Sequence, residues 1–158
     1  MDSLHKRYPT TADKGRAGES WMRSQLERHY EVVNDYTLDM DMQLRGIDFS
    51  IQRSGWRREY YLDVKNNLYV DKQTGNVSLN LEITKANNAI GWFLTSQADR
   101  IYHVNTYVGK YLYYDLPAMR RWVIRELYNK RLNIFKTEDG SELIRILNTE
   151  CPILIHNI

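Results

Sequence analysis

Asp48, Asp63 and Lys65 are the residues whose types and spacing point most directly to chemistry. Residues 46–52 and 59–65 alternate apolar and polar side chains with period two, as half-buried strands do. In the first segment Ile47, Phe49 and Ile51 share one face, and Asp48, Ser50 and Gln52 the other. In the second, Tyr60, Leu62 and Val64 oppose Tyr61, Asp63 and Lys65. Ser54-Gly55-Trp56-Arg57 lies between them, and glycine at the first central position suits a two-residue type II′ hairpin turn. With Gly55 and Trp56 as that turn, Ser54 pairs with Arg57 and Asp48 falls across from Asp63. Carboxylates so opposed, with Cβ atoms about 5 Å apart, repel unless a proton or a cation lies between them. A hard divalent ion with oxygen ligands meets that need. Lys65 stands one alternation further along the same face. Two acids and an ammonium on one patch make a site for activating water against a phosphodiester. The plain alternative is a solvated strand face that happens to carry Asp and Lys.

Those strands need a helix to cover them. Residues 14–30 read as one, with Asp13 or Thr11 as its cap. Glu19, Met22 and Leu26 fall on a single face. Glu19 then either points beneath the helix towards the acids or pairs with Arg23 at i+4 on the exposed side. Further along, residues 68–70 and 77–83 form a hairpin across 74–76, and a helix is expected around 85–95. Strands follow near 98–104 and 111–116, and Pro117 opens a helix whose apolar stripe includes Met119, Trp122, Val123 and Leu127. Residues 137–141 read as a turn. The apolar runs 144–147 and 153–155 are either strands or a dimer surface.

A helix with Glu, a strand with Asp and a next strand with Asp-x-Lys together resemble the PD-(D/E)xK nuclease superfamily, the restriction-endonuclease-like fold. The matching residues are Glu19, Asp48, Asp63 and Lys65. Lys14-Gly15-Arg16-Ala17-Gly18-Glu19 is similar to the start of archaeal-type Holliday junction resolvases of that superfamily. Residues 98–104 are similar to its fourth core strand, and 111–117 to the fifth strand leading into a closing helix. Ile47 stands where the motif has Pro.

The resemblance implies an α/β fold, a central mixed β-sheet flanked by helices. One domain would span 1–158, with a core of about 11–130 and a C-terminal extension of 131–158. It implies a Mg²⁺-dependent endodeoxyribonuclease leaving 5′-phosphate ends, with Mn²⁺ able to substitute. Asp48, Asp63 and the Val64 backbone carbonyl would hold the metal. Lys65 would orient or deprotonate the attacking water and steady the developing charge. Glu19 would hold a second metal or its water shell. A branched-DNA resolvase is the first substrate expectation, and a site-specific homing or restriction-type enzyme the next. A DNA-binding module that keeps the fold without catalysis is the alternative from another class, and RNA is open as a substrate. Cutting both strands of a duplex needs two active sites, so a symmetric homodimer is expected.

Composition agrees with this picture. The chain has 158 residues, enough for one domain with a core, and a net charge of +2. Local clusters matter more than that total. Arg53, Arg57 and Arg58 bracket the expected turn, and Arg120, Arg121, Arg125, Lys130 and Arg131 follow Pro117. Such runs neutralise phosphates or simply solvate a surface. The chain has 12 tyrosines, explained mainly by strand packing, with Tyr61 and Tyr69 as candidates to touch DNA. Cys151 is the only cysteine, which excludes an internal disulfide and a cysteine zinc site. Histidine spacing fits no zinc site, and no glycine-rich phosphate loop points to a nucleotide cofactor. No apolar run reaches membrane length and no signal-peptide pattern opens the chain, so an intracellular setting without membrane partners is expected.

Overall fold

The computed structural model describes residues 10–156. Helix α1 (Thr11–His29) is capped by Thr10, one residue before Thr11 and three before Asp13, the expected caps, because the Thr10 side chain accepts the Asp13 N–H. Strand β1 (Val32–Asp35) and the short helix α2 (Met40–Leu44) follow. Neither was expected from the sequence. Next come β2 (Phe49–Gln52), β3 (Tyr60–Lys65), β4 (Tyr69–Val70), β5 (Val77–Thr84) and the single turn α3 (Trp92–Thr95). The chain continues with β6 (Arg100–Asn105), β7 (Lys110–Asp115) and α4 (Leu116–Tyr128), then β8 (Ile134–Lys136), β9 (Glu142–Leu147) and β10 (Ile155–His156).

Six strands form the central sheet in the order β1-β2-β3-β6-β7-β10. The β3–β6 pair is parallel and its neighbours are antiparallel, so the sheet is mixed, as expected. A second, antiparallel sheet runs β4-β5-β9-β8. Helix α1 lays Met22 and Leu26 on Phe49, Ile51, Leu62, Val64, Tyr102 and Val104. On the other side, Ile101, Leu112 and Tyr114 meet α4 and the inner face of the second sheet, through Met119, Trp122, Leu79, Leu81, Ile144 and Ile146. The central sheet is therefore buried on both sides, which is why polar residues of β3 and β6 sit away from water. Among the described residues no helix is long and apolar enough to cross a membrane.

Two expectations are corrected and one open alternative is decided in part. The hairpin turn is not type II′ at Gly55-Trp56. The Trp56 N–H donates to the Arg53 carbonyl at 3.1 Å, and Gly55 has φ of +83°, which puts Ser54 and Gly55 at the turn's centre. The β2–β3 ladder closes at Ile51 and Tyr60, leaving a wider loop. The register still matches the expected one, pairing Phe49 with Leu62 and Ser50 with Tyr61, because the loop widens equally on both sides. The helix expected over 85–95 shrinks to α3. Asn88 takes φ of +66°, the Asn87 side chain accepts the Ala89 N–H, and Thr84 bridges to Ile90, so asparagine turn chemistry displaces helix. Of the two apolar runs near the C-terminus, 144–147 lies within β9, whereas of 153–155 only Ile155 is in a strand, β10. β9 lies between β5 and β8, β10 pairs with β7, and Leu132, Ile144, Ile146 and Cys151 are core residues.

Gly18 sets how closely α1 approaches the sheet. A Cβ there would stand 2.7 Å from the Asn66 Cβ and 3.3 Å from a Val104 methyl, whereas a Cβ at Gly15 would meet nothing. Gly18→Val should lower unfolding free energy by about 1–3 kcal/mol through overpacking. Gly15→Ala should raise it by about 0.5–1 kcal/mol through helix propensity. Urea denaturation of both variants checks the pair, and equal effects would refute the close-approach account.

Candidate active site

Asp63 lies in the middle of β3 with only 1% of its surface exposed. One carboxylate oxygen, Oδ1, is 2.7 Å from the Lys65 ammonium. The other, Oδ2, is buried with no hydrogen-bond partner in the protein. The neighbouring Ser96 hydroxyl donates to the Gly46 carbonyl at 3.1 Å. Burial pushes the Asp63 pKa up to about 6, with Asp48 adding to the rise and Lys65 and the nearby Ser96 hydroxyl opposing it, although that hydroxyl's one proton goes to Gly46.

Asp48 stands just before β2, and both of its oxygens are engaged. Gln43 Nε2 donates to Oδ1 at 3.0 Å and the Val64 N–H donates to Oδ2 at 2.8 Å. A strand residue points its N–H and C=O to the same side, so the Val64 carbonyl is also directed towards Asp48. Lys65 spans the two acids electrostatically. Burial pulls its pKa down, but Asp63, Asp48 and Glu82 outweigh that and hold it above the ordinary lysine value. Its ammonium also lies 5.2 Å from the centre of the Trp92 ring.

Glu19 is half-buried on α1 and faces the same acids. Burial first, then Asp48, with smaller contributions from Asp35 and Asp63, push its pKa up to about 7, while Lys65 opposes. Arg23 does not pair with Glu19. It faces Glu27 and Asp35, each at 2.9 Å. The fold therefore brings Glu19, Asp48, Asp63 and Lys65 within one electrostatic neighbourhood.

Several supporting residues were not singled out in the sequence. Gln43 belongs to α2, which carries no long apolar period to reveal it. Glu82 reaches Lys65 electrostatically from β5 and accepts the Trp92 N–H at 3.3 Å. His103 is wholly buried behind Lys65, bonded to the Asn67 side-chain oxygen through Nδ1 and to the Tyr114 hydroxyl through Nε2 at 2.9 Å. Burial and then Lys65 drive its pKa down to about 3, so it stays neutral. Its alternation within β6 was the one available signal.

The candidate nucleic-acid residues are dispersed. Only Tyr61 shares the face of Asp63, and its hydroxyl donates to Glu59 at 3.0 Å. Arg53 donates twice to the His29 carbonyl and lies over Tyr30 and Trp56. Arg58 grips Asp99 with two bonds, of 2.8 and 2.9 Å. Arg57 and Tyr69 are exposed, Tyr69 to 62%. On α4, Arg120 turns inward to the Phe93 and Ser96 carbonyls.

These residues fit a divalent cation in a sparse way. Among the described residues no cluster of three or more His, Cys, Asp or Glu is arranged to hold a metal. What remains is the buried, unsatisfied Asp63 oxygen beside a second carboxylate, and such groups are rare without a partner. A Mg²⁺ ion, which keeps several waters and needs few carboxylates, suits that donor set.

No family model matches the chain, and no curated protein matches it. Among solved structures, the chain is similar to a bacterial homing endonuclease, I-Ssp6803I, with a TM-score of 0.54 and 13% sequence identity. The match covers 90% of this chain and 80% of that one. The likeness is one of fold.

The raised carboxyls make stability depend on pH. Asp63 binds its proton more tightly folded than unfolded, so its contribution is full below its ordinary value of 3.8 and is lost as pH rises through about 6. For this buried group the loss is about 3 kcal/mol. Glu19 acts in the same direction up to about pH 7. In EDTA, the melting temperature should fall between about pH 4 and pH 7, and Asp63→Asn should flatten that fall below about pH 6. An unchanged slope in the variant would remove Asp63 as its source.

Proposed function

We propose that this chain is a metal-dependent endodeoxyribonuclease of the PD-(D/E)xK type. The observation that carries the reading is the buried Asp63 carboxylate, one oxygen of which meets the charged Lys65 while the other accepts no hydrogen bond, with Asp48 acting on both groups electrostatically. The fold likeness to a bacterial homing endonuclease supports it. Asp48, Asp63 and the Val64 carbonyl would hold Mg²⁺ or Mn²⁺. A divalent ion there would polarise the phosphoryl oxygen and make a water easier to deprotonate.

The chain's own residues supply the rest. Gln43 and the Val64 N–H fix the Asp48 carboxylate, so the donor set is ordered before substrate arrives. Lys65, held as an ammonium, suits stabilising negative charge at the attacked phosphate better than accepting a proton. Glu19, its pKa pushed up to about 7, would hold water beside the acids and exchange a proton at neutral pH. Arg57, Tyr61 and Tyr69 remain candidates for the DNA path, and a homodimer supplies two sites for two strands. Arg53 and Arg58 would act there only with outward N–H groups, since each is already engaged within the protein.

For substrate, the fold likeness to a bacterial homing endonuclease supports the homing-type reading over the branched-DNA one. The branched-DNA reading rested on residues 14–19, where Gly18 has a packing role of its own. Incubating the protein with a linear duplex, a four-way junction, single-stranded DNA and RNA, each with Mg²⁺ or EDTA, separates these readings. Cutting of one duplex sequence identifies a site-specific enzyme, and cutting of the junction alone a resolvase. Binding without metal-dependent cutting identifies a non-catalytic module and overturns the proposal. Asp63→Ala and Lys65→Ala should each reduce cutting by about a thousandfold while DNA binding in EDTA persists. Loss of the folded state in both variants would instead mark the cluster as structural.

A further inference from the structure

Arg45 stands at the rim of the acidic site and has no part in the chemistry described above. It follows α2 directly, two residues after Gln43 turns in to Asp48. Its guanidinium lies 5.8 Å from the centre of the Tyr61 ring. Tyr61 and Asp63 project from the same face of β3, two residues apart, which separates them by about 7 Å. Arg45 also lies three residues before Asp48 in the chain, and it is exposed.

The side chain is ordered, yet its charge is not neutralised. The Arg45 carbonyl accepts the Gln97 N–H at 2.8 Å, and Arg45 Nε donates to the Gln97 side-chain oxygen at 3.0 Å. One terminal nitrogen meets the Met42 sulfur at 3.3 Å. An amide, a thioether and a phenol ring hold it, and all are neutral. Among the described residues no carboxylate pairs with Arg45, whereas Arg16, Arg23, Arg58, Arg125 and Arg131 each face one. Other arginines also lack an ion pair, among them Arg53 and Arg120, which direct N–H groups onto backbone carbonyls, and Arg100 and Arg145, which lie over aromatic rings; Arg45 differs in being held by Gln97 beside Tyr61, on the β3 face of Asp63. Arg45 keeps N–H groups that neither Gln97 nor Met42 uses.

A planar, permanently charged fork held in this way matches a phosphate, and its ordering is complete before the ligand arrives. We propose that Arg45 is a phosphate-binding residue of this site, gripping the DNA phosphate next to the one attacked. The proposal rests on the nuclease reading. Its competitor is a purely structural staple joining α2 to Gln97.

The test measures equilibrium binding of a fluorescein-labelled linear duplex in EDTA over a series of NaCl concentrations, using the full chain. It also measures KM and kcat for cutting with Mg²⁺, and the melting temperature. Arg45→Gln should weaken binding about tenfold and lower the salt slope by about one. It should raise KM more than it lowers kcat. Arg45→Lys should keep the slope but bind more weakly than wild type, because an ammonium cannot be held by Gln97 in the same fork geometry. Wild-type slope and affinity in Arg45→Gln, with or without a lowered melting temperature, reduce Arg45 to the staple and overturn the proposal. If Arg45→Gln does not fold, wild-type affinity in Arg45→Lys overturns it instead. A wild-type chain that binds no duplex refutes the nuclease reading first, and the Arg45 proposal falls with it.

Discussion

The carboxylates of Asp48 and Asp63 repel one another in a space that water barely reaches, and the surrounding residues can be understood by what each does to that repulsion. Lys65 neutralises one oxygen of Asp63. Gln43 and the Val64 amide satisfy both oxygens of Asp48. Nothing satisfies the remaining Asp63 oxygen. A buried acid left in that state would normally be removed by any drift towards a more stable protein, because an apolar residue of similar size would be the safer occupant.

Burial on both sides of the central sheet creates this condition. β3 and β6 pair in parallel, with α1 over one face and α4 plus the second sheet over the other. Leu62 and Val64 use one face as ordinary core. On the other face Asp63 and Lys65 occupy positions where hydrophobic residues would usually stand, with His103 and Tyr114 completing a polar seam behind them. Trp92 and Glu82, from the excursion between β3 and β6, complete the surroundings of Lys65. The second sheet is therefore not remote from the site, since β5 supplies one of the charges acting on its lysine.

The acids, the lysine and the β2–β3 register were legible because alternation constrains them twice over. A strand pairing that moved by one residue would have turned Phe49 and Leu62 outward, so the apolar residues fixed the register even though the turn was misassigned. Glu19 was legible for a related reason, as an acid on a stripe that otherwise packs. What supports the site was not. Gln43 rides on a helix of 5 residues with no buried member, below any periodicity that could reveal it. Glu82 looked like the polar side of an ordinary hairpin. The stretch before Trp92 was expected to be helical, but Asn87, whose side chain accepts a backbone N–H, and Asn88, with its positive φ, favoured a turn.

The pairing of β5 with β9 has a consequence for how the chain reaches this state. Leu79 lies opposite Ile146, roughly seventy residues later, and both are fully packed. β10 closes the far edge of the central sheet in the same late fashion. Contacts of such sequence separation raise the entropy lost before any of them is rewarded, which slows folding. During synthesis, β5 must wait with one edge unpaired until β9 has left the ribosome. A nascent chain halted between those strands would display Val77, Leu79 and Leu81 as an open, apolar ribbon, the kind of surface that chaperones hold and aggregates recruit.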